Sequence, residues 1–446
     1  MQIEGKEDAG HRVKAPSVAL QSNMTVEEFG QCDLAYALPF SPTWDPMLTA
    51  ANQLRKDNYE FFKECFKQSV LLAMEAGIAS LGHVSLDGSK FKANTSKHKA
   101  MSYGRLKVKE KELTEEIGSL IAKASKCVEE EEEYQDKTGY EIPEELKIKE
   151  KRLTKIKEAK EALEKREQEL NPGKKIDDKK QISFADKDSR IMGKNGSFEY
   201  DYNGQISVDE DNQIIVGQHL SQNANDKQEA EPGLEEIKET TGDLPDKMSV
   251  DNGYMSGNNL EAFEDKETDV YIATGKGEKR DHREIEDSNR KIKKADFSYD
   301  GDKDCFVCPS GHTLKLKTQT SDGKKIYQGD KAECDICLYK ARCCSSKRGE
   351  PRTINTDDKE PLRQKMREKM EQESSKEIYK KRKKIVEPVF GQIKNSGFRG
   401  FSIRGHEKAS GEFSLACAVH NLKKIVRAIL GGKVCLESEG LAPVVA

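Results

Sequence analysis

The order of short apolar segments along the chain constrains its fold more than any other feature. Phe198 to Tyr202, Gln205 to Val208 and Gln213 to Leu220 alternate apolar and polar residues, with Asn203-Gly204 and Asp211-Asn212 as turn residues between them. Three such runs in succession predict an antiparallel meander. The pattern then changes. A helix is predicted from about Asp226 to Thr240, a short strand at Met248 to Val250, a helix from about Asn258, and a further strand over Asp269 to Thr274. A meander followed by alternating strand and helix implies an α/β fold with a mixed sheet. A strand upstream belongs with it: in HVSLDGSKFKANTS, Val84, Leu86 and Phe91 alternate with polar residues around a turn-like Asp87-Gly88.

Two stretches do not fit this order and read as insertions. From about Tyr103 to Leu170 the chain is rich in Glu and Lys, with Leu and Ile at heptad-like intervals. That predicts a pair of long helices forming an antiparallel coiled-coil hairpin, broken around Lys137 to Pro143 and stopped by Asn171-Pro172-Gly173. The second insertion holds six of the eleven cysteines, between Cys305 and Cys344. Cys334 and Cys337 form a C-x-x-C pair, with Cys308 upstream and Cys343 six residues beyond, enough thiolates for a tetrahedral structural zinc. Cys305 and Cys344 leave the ligand set open, because Cys305-x-x-Cys308 is also an acceptable pair.

The expected organisation is a poorly ordered segment over 1–46 and a helix with the first core strand over 47–102. The helical hairpin follows over 103–172, the core continues over 173–300, a cysteine-rich zinc-binding insertion spans 301–350, and a basic helical part of the core spans 351–446. Charged residues make up 35% of the chain and the mean hydropathy is −0.84. The longest apolar stretch, Ser69 to Leu81, is interrupted by Glu75 and is too short to span a bilayer. No membrane partner and a cytoplasmic location are expected.

One stretch concentrates charge. Between Lys376 and Arg404 there are nine Lys or Arg and two Glu, in a chain whose net charge is −4. Local basicity of this kind suits a polyanion. On a helix, Ile385, Val386, Val389, Phe390 and Ile393 form one apolar stripe with Lys383, Glu387 and Lys394 at its edge. Pro388 means that a helix either kinks or begins there. His420, in the amphipathic helix that Gly431-Gly432 stops, reads as a packed core residue.

Each acid that stands out has an ordinary explanation: Asp87 as a hairpin turn, Asp251 as a cap, Glu387 as half of a surface ion pair. Together, two at strand ends and one on a later helix, they form the layout of a ribonuclease H-like core. Three carboxylates there supply the oxygen ligands that two Mg²⁺ ions need.

The runs HVSLDGSKFKANTSKHKAMSYGR, SVDNGYMSGNNLEAF with DVYIATGK, CPSGHTL, CDICLYKARC and YKKRKKIVEPVFGQIKNSGFRGFSIRG resemble the DDE transposases of bacterial insertion sequences, over about Arg55 to Leu430. The resemblance implies that Asp87, Asp251 and Glu387 hold two Mg²⁺ ions, with Mn²⁺ as an alternative. It also implies metal-dependent DNA nicking followed by 3′-hydroxyl strand transfer. Tyr379, Arg382, Glu387 and Lys394 look like the family's tyrosine, arginine, glutamate and lysine signature, whose basic members hold DNA phosphates. The Arg-to-Glu gap is one residue longer than the usual pattern, which leaves Arg382 and Lys383 as alternatives. Implied partners are duplex DNA, as element ends and target, and a second copy in an active homodimer at the bacterial nucleoid. The family carries a helical region ahead of its first aspartate, whereas 86 residues precede Asp87, so a shortened or atypical N-terminal region is expected. A catalytically silent DNA-binding product of a truncated element is the alternative function.

Overall fold

The structure, a computed structural model, describes residues 53–129, 141–194, 196–264, 266–274, 290–321, 323–346, 348–437 and 440–443. The segment 1–46 and most of the expected helix break around Lys137 lie outside the described residues. The chain is a mixed α/β protein and divides into two compact units.

Of the described residues, the first unit takes those within 53–63, 90–203 and 397–413. Its helices α2 (Tyr103–Glu129) and α3 (Glu141–Leu170) are the long pair expected from the Glu/Lys-rich stretch. Leu106, Leu113, Ile156, Ala159 and Leu163 are buried together, so the heptad-spaced apolar residues are the ones that pack. Lys160 reaches Glu110 at 2.8 Å and Lys149 reaches Glu116 at 2.9 Å, which fixes the pair as antiparallel. Strands β2 (Ala100–Ser102) and β3 (Gln181–Ser183) pair at its base. Phe91, Phe398, Phe401 and Phe413 stack against one another in the same unit.

Of the described residues, the second unit takes those within 64–89, 204–396 and 414–443. Helix α1 (Tyr59–Glu75) and strand β1 (His83–Lys92), the helix and first core strand expected over 47–102, pass from one unit's residues to the other's. So does β5 (Ser197–Asp209), which β4 (Arg190–Lys194) precedes and with which it pairs antiparallel. Strand β6 (Ile215–Ser221) lies beside β5. Helix α4 (Ala230–Thr241) then leads to β7 (Lys247–Val250), α5 (Gly257–Glu264) to β8 (Asp269–Ile272), and β1, β7 and β8 run parallel. In this unit the strands follow one another as β6, β5, β1, β7, β8.

Two turn signals are overridden. Asn203-Gly204 does not turn: β5 runs straight through it, and Asn203 and Gln205 are buried. Asp87-Gly88 does not turn either, because β1 continues to Lys92. Both dipeptides lie in strands paired on each side, where ladder hydrogen bonds and burial outweigh local turn preference. The real hairpin turn lies after β5. There the Asp209 carboxylate accepts from the backbone N–H groups of Asp211, Asn212 and Ile214, and Gln213 takes a φ of +61°.

The cysteine-rich stretch is built on strands that its sequence pattern did not reveal. Strands β9 (Ser298–Asp300), β10 (Cys305–Val307), β11 (Thr313–Gln319), β12 (Lys325–Gln328) and β13 (Thr353–Thr356) form an antiparallel sheet. Phe297, Phe306, Leu314, Tyr327 and Ile354 make its core. Helices α6 (Lys331–Ile336) and α7 (Lys340–Cys343) carry the later cysteines, and α8 (Glu360–Glu371), α9 (Glu373–Ile385), α10 (Glu387–Asn395) and α11 (His406–Leu430) follow.

Candidate functional site

Strands β1 and β7 set the site. They are parallel neighbours with Ser85 opposite Ser249 and Leu86 opposite Val250. Val84, Leu86, Met248 and Val250 are fully buried on one face, where α4 covers them, and a Cβ on Gly233 of α4 would fall 2.7 Å from Leu86 Cδ2. Alternation puts the odd-numbered residues on the other face. There the Ser85 and Ser249 hydroxyls meet at 2.7 Å. The next residue on each strand is an acid, Asp87 and Asp251, and the Asp251 charge acts on the Asp87 carboxyl. Asp251 follows β7 directly, and its Oδ1 accepts from the Gly253 N–H at 2.6 Å, capping a one-turn 3₁₀ helix. The capping role and the cluster position belong to the same side chain.

Glu387 arrives from α10. The chain resolves the choice posed by Pro388 by starting a new helix: α9 ends at Ile385, Val386 is the junction, and α10 begins at Glu387 with Pro388 in its first turn. Ile385, Val386, Val389, Phe390 and Ile393 are all buried, as the stripe requires. Glu387 stands at the rim, with its side chain 51% exposed. Arg382 connects it to the strands. Its Nη2 lies 2.8 Å from Asp87 Oδ2 and its Nη1 lies 3.7 Å from Glu387 Oε1, while the guanidinium is 7% exposed.

The electrostatics follow from this packing. Burial pushes the Asp87 carboxyl up to about 6; Arg382 and the Gly88 N–H pull it down, and the nearby Asp251 and Asp226 charges raise it further. Burial opposes the Arg382 charge, but Asp87, Tyr379, Asp251 and Glu387 outweigh it and hold its pKa above the usual arginine value. Tyr379 faces the same charges, and burial raises its hydroxyl. Lys394 donates to Ser89 Oγ at 2.6 Å and lies over the Phe390 ring, while Lys383 points to solvent on α9.

The structure therefore brings Asp87, Asp251, Glu387, Arg382 and Tyr379 together, and places Lys394 beside Ser89, two residues after Asp87. Arg382 is buried among carboxylates, not displayed on the surface. Sequence reasoning missed Asp226 and Gln205. Asp226 follows β6 and was absorbed into the start of the predicted helix, while Gln205 sat in an assumed meander strand. An acid in the loop after a core strand was the available signal.

The cysteines occupy a separate place in the second unit. Cys308, Cys334, Cys337, Cys343 and Cys344 line one small cavity together with His312, whereas Cys305 is buried in β10 and does not line it. Burial pushes the Cys343 thiol up to about 12, and burial also raises Cys334. Ser310 Oγ and the Tyr339 N–H contact Cys337 Sγ at 3.3 and 3.4 Å. Among the described residues no three His, Cys, Asp or Glu side chains stand grouped to clasp a metal, either here or at the acids. Between Asp87 and Glu387 the cation is Arg382. No described helix is long and apolar enough to cross a membrane.

Residues 307–426 match a family model described as a transposase DDE domain. This span contains Glu387, Tyr379, Arg382 and Lys394 and stops short of Asp87 and Asp251. No curated protein and no solved structure matches the chain. Over these residues, about a quarter of the chain, the protein is similar to the DDE domain of transposases.

Proposed function

We propose that the protein nicks DNA at the ends of an insertion element and joins the exposed 3′-hydroxyl to target DNA, with Asp87, Asp251 and Glu387 as the carboxylates that carry a divalent metal. The observation that carries this reading is the register of β1 against β7, after which Asp87 and Asp251 are the next residues, with Glu387 linked to Asp87 through one buried guanidinium. Carboxylate oxygens are the donors that Mg²⁺ and Mn²⁺ take, and Arg382 shows that this place accepts positive charge. When bound, such ions supply Lewis acidity for phosphodiester attack. The protein's own part is to hold the acids in place and to present cationic side chains to phosphate.

Lys380, Lys381, Lys383 and Lys384 are exposed on α9 and offer that surface, supporting duplex DNA as partner. Three antiparallel strands β6, β5 and β1 followed by parallel β7 and β8 support a ribonuclease H-like core. The packing of α2 on α3 supports the coiled-coil reading of that hairpin. The cavity-lining thiols support a structural zinc on Cys308, Cys334, Cys337 and either Cys343 or Cys344. A homodimer is proposed from the pairing of two DNA ends.

The test is Mg²⁺-dependent nicking of a duplex carrying the terminal repeats that flank the gene. Cleavage by the native chain and none by Glu387→Ala is the expected result. Salt-sensitive binding without cleavage in both would overturn it in favour of a silent DNA-binding product.

A further inference from the structure

We infer that an open cleft in the first unit, lined by Lys92, Lys99, Arg399 and Arg404, grips the phosphate backbone of DNA; that the polyanion is DNA rests on the function proposed above. The first observation is the charge of the cleft. It has a volume of about 520 Å³ and lies between the residues that follow β1 and the segment 399–404, all of them in the first unit. Its lining carries four cationic side chains, each exposed, and no acidic one, in a chain whose net charge is −4. Glu199 balances only part of this charge, standing outside the lining at 3.5 Å from Lys92 Nζ and 3.8 Å from Lys97 Nζ. Such a concentration of one sign draws a polyanion.

The second observation is that the charges stand on a fixed floor. The Phe401 N–H donates to the Lys92 carbonyl at 2.8 Å, and Lys92 pairs with Gly400 in a parallel bridge. A Cβ on Gly400 would fall 2.7 Å from that carbonyl oxygen, so the close approach requires glycine. Asn94 Nδ2 donates to the Ser402 carbonyl, and the Arg404 Nε–H donates back to the Asn94 carbonyl at 3.0 Å. Bonds between segments some three hundred residues apart thus hold both walls, and a ligand meets a surface that is already ordered.

The third observation is how Arg404 is held. Its Nε is engaged by Asn94, and neither Nη has a protein partner among the described residues. A guanidinium anchored in this way keeps two N–H donors for the paired oxygens of a phosphate. Lys99 Nζ likewise has no partner among the described residues. Phe401, the aromatic residue of the lining, is 6% exposed, so it offers no ring for a base to stack on. The cleft therefore suits the backbone and carries no reading of base sequence.

The experiment follows binding of fluorescein-labelled duplexes to the full-length chain by anisotropy over a series of NaCl concentrations, one duplex carrying the terminal repeats and one a scrambled sequence. The variants are Lys99→Gln, Arg399→Gln, Arg404→Gln, Arg404→Lys and, as a charge control exposed on α3 outside the cleft, Lys151→Gln. Each cleft glutamine variant should weaken both duplexes alike, by about tenfold at low salt, and flatten the plot of log affinity against log salt by about 0.9, one phosphate contact. Lys151→Gln should match the native chain. Arg404→Lys keeps the charge without the fork and should bind more tightly than Arg404→Gln. Equal loss in those two, or native affinity and slope in the glutamine variants, overturns the cleft. Inorganic phosphate binding, read by calorimetry and lost in variants that keep native DNA affinity, would make free phosphate the occupant and overturns it equally. A cleft that fails while the native chain still nicks DNA leaves the proposed function standing, and absence of DNA binding by the native chain overturns both. Circular dichroism melting separates loss of affinity from loss of fold; should Arg404→Gln unfold, Lys99→Gln decides.

Discussion

Replacing His420 tests the packing of α11 on the second unit through its pH dependence. His420 is 6% exposed, and its Nε2–H donates to the Gln213 backbone carbonyl at 2.9 Å. Burial pushes its pKa down to about 4; the carbonyl pulls it up, while Lys424, Arg427 and Lys423 on the same helix push it down again. The ordinary value of 6.5 applies in the unfolded chain, which therefore takes up the proton first as pH falls. The stabilisation is complete above pH 6.5 and is lost as pH drops towards 4. The gap between 6.5 and about 4 corresponds to about 3 kcal/mol. His420→Gln can keep a donor to Gln213 without the titration. Urea unfolding followed by circular dichroism at pH 8, 7, 6, 5 and 4 should show the native chain losing about 3 kcal/mol relative to the variant. Asp87 and Asp209, both pushed up to about 6 by burial, titrate in both proteins and cancel in the difference. A difference that stays constant within about 1 kcal/mol across this range would refute the reasoning.

Two further expectations concern the scaffold and the thiols. A Cβ on Gly411 would fall 2.6 Å from the Tyr59 Cβ and carbonyl oxygen, a backbone contact that cannot yield. Gly411→Ala gains about 1 kcal/mol of helix propensity but overpacks at a cost of about 1–3 kcal/mol, so its urea midpoint should fall; a midpoint at or above the native one argues against close packing of α1 on α11. Native protein should carry about one zinc per chain by elemental analysis, and Cys334→Ser should lose it while Cys305→Ser retains it; the reverse pattern would assign the ligands to the Cys305-x-x-Cys308 pair.

Legibility followed the range of the interactions. Helices α2 and α3 and the stripe on α10 were readable because heptad and helical periodicity record burial directly in the sequence. Strands β5 and β1 were readable as strands but not in extent. Asn203-Gly204 and Asp87-Gly88 carry local turn chemistry, and only pairing on both sides of the strand overrides it. The sheet beneath the cysteines escaped because its core residues, Phe297, Phe306, Leu314, Tyr327 and Ile354, are spread over almost sixty positions and become one surface only after folding. Asp226 carried a signal, an acid in the loop after a core strand, but its meeting with Gln205 did not. Tyr254, which donates to Gln205, lies far along the chain, and no local spacing encodes the meeting.

The placement of Arg382 bears on which basic residue answers to the arginine of the signature that the sequence resembles. Carboxylates held about 5 Å apart repel by roughly 3 kcal/mol at the effective dielectric of a partly buried site. A site that gathers Asp87, Asp251 and Glu387 therefore needs positive charge, and Arg382 supplies it at 2.8 Å while almost wholly buried. A guanidinium committed in this way stabilises the acids and is poorly placed to grip a phosphate at the same time. Lys383, its neighbour in sequence, points the other way on α9 and is exposed. The one-residue offset between Arg382 and Glu387 thus fits a division of labour: Arg382 serves the carboxylates, and Lys383 faces solvent, where a DNA backbone would approach. The division predicts that Lys383→Ala lowers the salt dependence of DNA binding by about one phosphate contact, whereas Arg382→Gln acts first on the acids.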